Sequence, residues 1–187
     1  MKKTVLSLML ATGVMAVGVS MSSCKDTLKD LFNEFVTDPI EVPFRIEMIP
    51  GENTAFFSLD SAQVEYDLNQ IISDNTEGTY GLDDADAVHI EDIRLVLNDA
   101  TNTSNFQNFT AVNVAITSNG SSSVVNAGTA SDIPDTYDTD LDISVDQSIN
   151  MKEYFNNNTI YYLLYGTNRR ATDKVLNGTA YIRYRIK

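Results

Sequence analysis

Between Val42 and Lys187 the hydrophobic residues recur at every second position in one short run after another, and nothing else in the chain constrains its fold so strongly. Period-two alternation sends successive side chains to opposite faces of a strand, so each run builds one buried and one solvated face. Val42, Phe44, Ile46 and Met48 alternate with Pro43, Arg45 and Glu47. Pro43 lacks a backbone N–H, which places this strand near an edge. Val112, Val114 and Ile116 alternate cleanly, and Ser118-Asn119-Gly120-Ser121 offers a type I′ turn into Val124-Val125. Leu141, Ile143 and Val145 alternate with Asp140, Asp142, Ser144 and Asp146. Ala180, Ile182, Tyr184 and Ile186 form a closing strand with Arg183 and Arg185 on its other face.

Three segments depart from simple alternation. Val88 and Ile90 share one parity while Ile93, Leu95 and Leu97 share the other, so the flip at Glu91-Asp92 predicts a β-bulge. Ile160 to Tyr165 is continuously apolar, which predicts a central strand covered on both faces. Val64 to Ile72 reads two ways: Val64, Tyr66 and Leu68 fit a strand, and Leu68, Ile71 and Ile72 fit a helical turn. Seven or eight strands separated by turn signals predict an all-β chain: one β-sandwich domain over residues 42–187, an Ig-like Greek key, with a jelly roll or closed barrel as the alternative. No internal repeat or linker interrupts it. Ahead of it, Leu28, Leu31, Phe32, Phe35 and Val36 recur at helical spacing until Pro39, a short amphipathic helix within residues 24–41 that caps the domain or lies on a membrane surface.

The charge balance excludes some partners. The chain has 26 acidic and 13 basic residues. Nucleic acid, whose phosphates need a positive surface, is excluded, and adsorption to an anionic membrane face is disfavoured. Arg169, Arg170, Lys174, Arg183, Arg185 and Lys187 gather near the C-terminus and are expected to pair with acidic neighbours.

Few residues are equipped for catalysis. Cys24 is the only cysteine, so an intrachain disulfide, a CxxC pair or a thiolate metal site is impossible. His89 is the only imidazole and sits in a strand pattern without a nucleophile elbow, the setting of a structural or surface histidine. Asp138-x-Asp140-x-Asp142 invites comparison with an EF-hand, but Ile143 and Ile149 stand where that loop needs Gly and Glu. Alternating aspartates on a strand form a solvated face. Asp135, Asp138 and Asp140 remain a weak Ca²⁺ candidate, and Asp83, Asp84 and Asp86 form a second acidic loop. A carboxylate pair for glycoside hydrolysis carries no signal among so many acids. Tyr137, Tyr154, Tyr161, Tyr162 and Tyr165 could stack on a sugar ring, although most suit the core or a sheet face.

The N-terminus has a segmental order of its own. Lys2-Lys3 precede an apolar stretch from Val5 to Val19, about 15 residues and below the roughly 20 needed to span a bilayer. Small residues follow, ending in Met21-Ser22-Ser23-Cys24. This resembles the lipobox of bacterial lipoproteins, with Met21 where Leu is commoner. The resemblance implies that residues 1–23 are a cleaved signal peptide and that Cys24 carries a diacylglyceryl thioether and an N-terminal acyl chain. Loss of Lys2 and Lys3 would take the net charge from −13 to −15. The Asn-, Asp- and Thr-rich strands with no Trp resemble exported lipoproteins of the Bacteroidota. That resemblance implies O-glycosylation at Asp26-Thr27-Leu28 and Asp60-Ser61-Ala62, on Thr27 and Ser61. An acidic run after the cysteine, which takes many such lipoproteins to the surface, is replaced by Lys25-Asp26.

Together these features lead us to expect a non-catalytic lipoprotein of the outer membrane, periplasmic or surface-facing, without a cofactor. The membrane is its one firm partner, through lipid on Cys24, and a glycan or protein partner is open. The alternatives are an assembly subunit (a pilin-like adhesin or an accessory of a nutrient-uptake complex) and a small glycoside hydrolase.

Overall fold

A computed structural model describes residues 34–119 and 123–187. Among them are nine strands: β1 (Phe35–Val36), β2 (Ile40–Ile46), β3 (Asn53–Glu65), β4 (Val88–Leu97), β5 (Phe109–Ser118), β6 (Val125–Ser131), β7 (Asp140–Val145), β8 (Thr159–Asn168) and β9 (Leu176–Ile186). One α-helix, α1 (Leu68–Asn75), joins them. The domain is therefore all-β. Every pairing is antiparallel, in the order β1-β9-β4-β7-β6-β5-β8-β3, and β2 takes the stretch of β9 next to β1. β7 changes partners along its length, pairing with β4 over Asp140 to Ile143 and with β6 through Ser144 and Val145.

The sheet curls until its two edge strands, β2 and β3, approach each other. The Arg45 backbone N–H donates to Asp60 Oδ2 at 2.6 Å there, and no backbone ladder joins the two edges among the described residues. Pro43 lies on this edge strand, where a missing N–H costs nothing. Curling brings the inner faces of β8 and β9 together over one core, with the Tyr162 and Tyr184 hydroxyls 3.0 Å apart. Ile93, Leu95, Ile116, Ile160, Ile182 and Ile186 fill that core.

The predicted bulge is present: the β4–β9 register shifts between Ile90 and Asp92. Its effect is specific, because the extra residue lets two consecutive carboxylates, Glu91 and Asp92, each reach one arginine of β9. The ambiguous segment resolves into both readings in turn. β3 ends at Glu65, and α1 starts after Asp67, whose side chain accepts the Gln70 N–H at 2.9 Å as an N-cap. Leu68 and Ile72 bury the inner face of the helix.

Four expectations need correction. Leu28, Leu31 and Phe32 lie outside the described residues, but Phe35 and Val36, assigned to the same helix, are strand β1 opposite Ile186 and Arg185. Pairing begins before Val42, so part of the stretch expected as tether belongs to the sheet. An aromatic and a β-branched residue beside an open strand edge gain backbone partners that outweigh a short helical period. Met48 lies beyond β2 and is 59% exposed. Finally, β8 is central but covered on one face only: Ile160, Tyr162 and Leu164 are buried, whereas Tyr161, Leu163 and Tyr165 are half-buried.

Gly178 shows how tightly β9 is held between its neighbours. A Cβ there would overlap the Phe44 ring and sit 2.5 Å from the Val96 carbonyl oxygen. Gly178→Ala is expected to destabilise the domain by about 1–3 kcal/mol, the usual cost of overpacking. A urea midpoint unchanged from wild type would show that Phe44 and the backbone yield freely.

Candidate binding face

The two halves of the curled sheet present outer faces of opposite character. On the half built from β2, β9, β4 and β7, the outward side chains include a set of arginine–carboxylate pairs. Arg185 grips Glu91 with two hydrogen bonds of 2.6 and 2.7 Å and reaches Glu34 at 2.6 Å. Arg183 Nε donates to Asp92 at 2.9 Å, and Arg94 bonds Asp140. Lys174 pairs with Asp99, Arg169 and Arg170 with Asp135, and Lys187 with Glu34. The whole C-terminal basic group is thus ion-paired, as expected. Such exposed pairs add little stability, but they fix the character of this face.

These contacts set the carboxyl groups. Hydrogen bonding from Arg94 holds Asp140 below the usual carboxylate range. The Ser148 hydroxyl does the same for Asp146, and the Ser104 and Thr103 hydroxyls for Asp173. At Asp99 partial burial pulls upward, but the Asn177 donors and Lys174 prevail and the group is lowered.

The other half, β3, β8, β5 and β6, has an uncharged outer face. Residues opposite each other in an antiparallel ladder share a face, so the register defines it. Tyr161, Leu163 and Tyr165 stand in a row on β8. Gln63, Ser61 and Ser58 flank them on β3, and Thr117, Ala115 and Asn113 on β5. Asn126 and Thr129 of β6 continue the layer. No residue of this set is charged, in a chain that is 21% charged, and Glu65 opposite Thr159 marks its end. Asn113 Nδ2 is held by Asn126 Oδ1 at 2.7 Å and Thr129 Oγ1 at 2.8 Å. Among the described residues the Tyr161 and Tyr165 hydroxyls have no protein hydrogen-bond partner, so both are free for a ligand.

Of this face the sequence reading names only Tyr161 and Tyr165, among five tyrosines that could stack on a sugar ring, yet the sequence carries a signal for the rest. Ala100 to Ser131 contains no charged residue, nor does Tyr154 to Asn168. These stretches supply β5, β6 and β8.

The candidates named from sequence are not gathered into one site. Asp135 is taken by arginines, Asp140 by Arg94, and the Asp138 carboxylate accepts the Asp140 N–H at 3.0 Å. They do not converge, and no acidic or histidine cluster able to hold a metal occurs among the described residues. His89 places Nδ1 3.0 Å from the Ile149 carbonyl oxygen, a structural tie between β4 and the loop after β7. In the acidic loop, Asp84 accepts the Gly81 N–H at 3.1 Å, and Lys152 Nζ donates to the Ala85 carbonyl at 2.5 Å. Ser61 is exposed on β3; Cys24 and Thr27 lie outside the described residues. Tyr162 is buried in the core and Tyr137 is exposed, away from the β8 row.

Two other features complete the surface. The hollow at the β2–β3 seam, lined by Val42, Phe44, Leu95, Val114 and Ile182 among others, encloses about 20 Å³, room for roughly one water, and its walls are apolar. The β2–β3 turn exposes Met48 and, at 56%, Phe56, beside Ile49, Pro50 and Phe57. It lies at the Leu176 end of β9, whereas Phe35 lies at the Ile186 end, about 33 Å away along the strand.

No family model, curated protein or solved structure matches the chain. No helix among the described residues is long and apolar enough to cross a membrane.

Proposed function

We propose that the chain is a non-catalytic lipoprotein, held in the outer membrane through lipid on Cys24, whose domain binds a partner through its uncharged face. The observation that carries this reading is the segregation of the two outer faces: arginines and carboxylates crowd one, and the tyrosine row of β8 lies on the other. A solvated sheet with no other task mixes charge on every exposed face, because charge keeps edges and surfaces from sticking. The order β4-β7-β6-β5 sets three consecutive strands beside the one that precedes them, which supports reading the curled sheet as an Ig-like Greek-key sandwich. O-glycosylation at Thr27 belongs to the same proposal; at Ser61, which stands opposite Leu163 on the uncharged face, an attached glycan would cover the binding surface, so the two readings exclude each other there.

A second reading, an assembly subunit, is favoured by the apolar turn around Met48 and Phe56, which stands at the end of the domain away from β1. The test of the main reading is a screen of the purified protein against glycoside, ester and peptide substrates. No turnover is expected. Turnover abolished by substituting a single Asp or Glu would overturn the non-catalytic assignment.

A further inference from the structure

We infer that the ligand of the uncharged face is a neutral glycan chain, laid along β8 with sugar rings stacked on Tyr161 and Tyr165. This deepens the binding-domain reading and rests on it. A sugar ring presents an apolar C–H face and a rim of hydroxyls that both donate and accept. Its natural counterpart is an aromatic surface edged by amides and hydroxyls, and this face sets Tyr161 and Tyr165 among Gln63, Ser61, Thr117 and Asn113. Tyr161 and Tyr165 point the same way from one strand, about 13 Å apart, with Leu163 between them. Gln63 stands opposite Tyr161 on one side, and Thr117 and Asn113 oppose Tyr161 and Tyr165 on the other.

Charge decides against the other ligand classes. An acidic polysaccharide or a phosphate approaches a chain of net charge −13 and meets no cation on this face to offset the repulsion. A cationic partner meets no carboxylate beside the tyrosine row either, since the acid nearest in register, Glu65, stands at its end opposite Thr159. A protein partner needs an apolar centre that can be dried, and the most exposed large apolar side chains, Val36, Met48, Phe56, Val124 and Tyr137, all stand off this row. The face is also pre-organised. Tyrosine supplies rigid, two-sided contact area with little rotamer freedom to lose, and the Asn113 amide is already fixed by Asn126 and Thr129.

The experiment is affinity electrophoresis of the lipid-bearing protein, in detergent, through gels cast with neutral polysaccharides (a β-glucan, a xylan and a mannan) or with polygalacturonate. We expect retardation by at least one neutral polymer and none by polygalacturonate. Tyr161→Ala and Tyr165→Ala each weaken retention at least tenfold, whereas Tyr181→Ala, on the charged face, leaves it unchanged. Thr117→Glu keeps both rings, puts a carboxylate in the row and also weakens retention tenfold, with an unchanged circular dichroism spectrum. Retention that survives all three changes to this face, or that polygalacturonate matches, overturns the inference. With no retardation in any gel the glycan is ruled out, and a photoreactive residue in place of Leu163 then separates the two levels. A protein cross-linked at that position on whole cells overturns the glycan but keeps the binding face; no cross-link removes the face as well.

Discussion

Tyr184→Ala is expected to cost about 3–5 kcal/mol, a large part of the 5–15 kcal/mol that a domain has in total. Tyr184 is fully buried at the point where the two inner faces of the sheet meet. Its ring stands edge-on to Phe155 with centroids 5.0 Å apart, and Tyr66 packs at 6.3 Å. The hydroxyl accounts for a separable share. Tyr184→Phe keeps the ring but leaves the buried Tyr162 hydroxyl without its partner, at a cost of about 1–3 kcal/mol. Adding Tyr162→Phe removes the orphan, so the double variant is expected to recover most of that loss. Urea denaturation of the four proteins closes the cycle, and strictly additive losses would show that the two hydroxyls do not interact. Burial pushes both phenols above the ordinary tyrosine value, Tyr184 especially. The folded state therefore favours their neutral forms. Their contribution is complete below pH 10.0, the ordinary value, and is lost as pH rises toward the folded-state pKa, so unfolding on the alkaline side is expected.

Cys24→Ala is expected to abolish lipid attachment outright. The proposed anchor is a thioether, and alanine has no sulfur to form it. One acyl chain holds a protein only marginally and reversibly, while two or more make attachment stable, so no weaker lipid signal elsewhere can replace a triacylated cysteine. Labelled palmitate followed in cells measures this directly. Wild type carries the label in the membrane fraction, and the variant carries none and accumulates as precursor or as soluble product. Label on the variant would remove Cys24 as the attachment point.

The strands were legible in the sequence because one face of each is buried and the other is wet. Val42-Phe44-Ile46 and Val112-Val114-Ile116 could be assigned from parity alone, and even the bulge at Glu91 appeared as a parity flip. Pairing was not legible, since alternation says which face a residue takes and nothing about which strand lies beside it. That is why Phe35 and Val36 read as helix: their partners, Ile186 and Arg185, stand 150 positions away in the chain. The uncharged face was only partly legible for a related reason: Tyr161 and Tyr165 were named, but together with Tyr137, Tyr154 and Tyr162. Tyr161, Leu163 and Tyr165 look as apolar as Ile160, Tyr162 and Leu164, and only the curl of the sheet separates the lined side from the open one. The acidic residues misled in the opposite direction. They are conspicuous in sequence, yet arginines that lie far from them in the chain take up Asp92, Asp135 and Asp140.

β9 follows every other described strand in the chain, and it pairs with β1 and β2 on one side and with β4 on the other. β1 and β2 therefore have no ladder partner until residues 176–186 have been made. Chains dominated by such distant pairings fold in milliseconds to seconds, because the entropy of closing long loops comes before any reward. During synthesis, at about 5–20 residues per second, β1 waits for its partner while about 150 further residues are added. β1 and β2 are thus the strands left unpaired longest, and β9 is the one that closes them into the sheet.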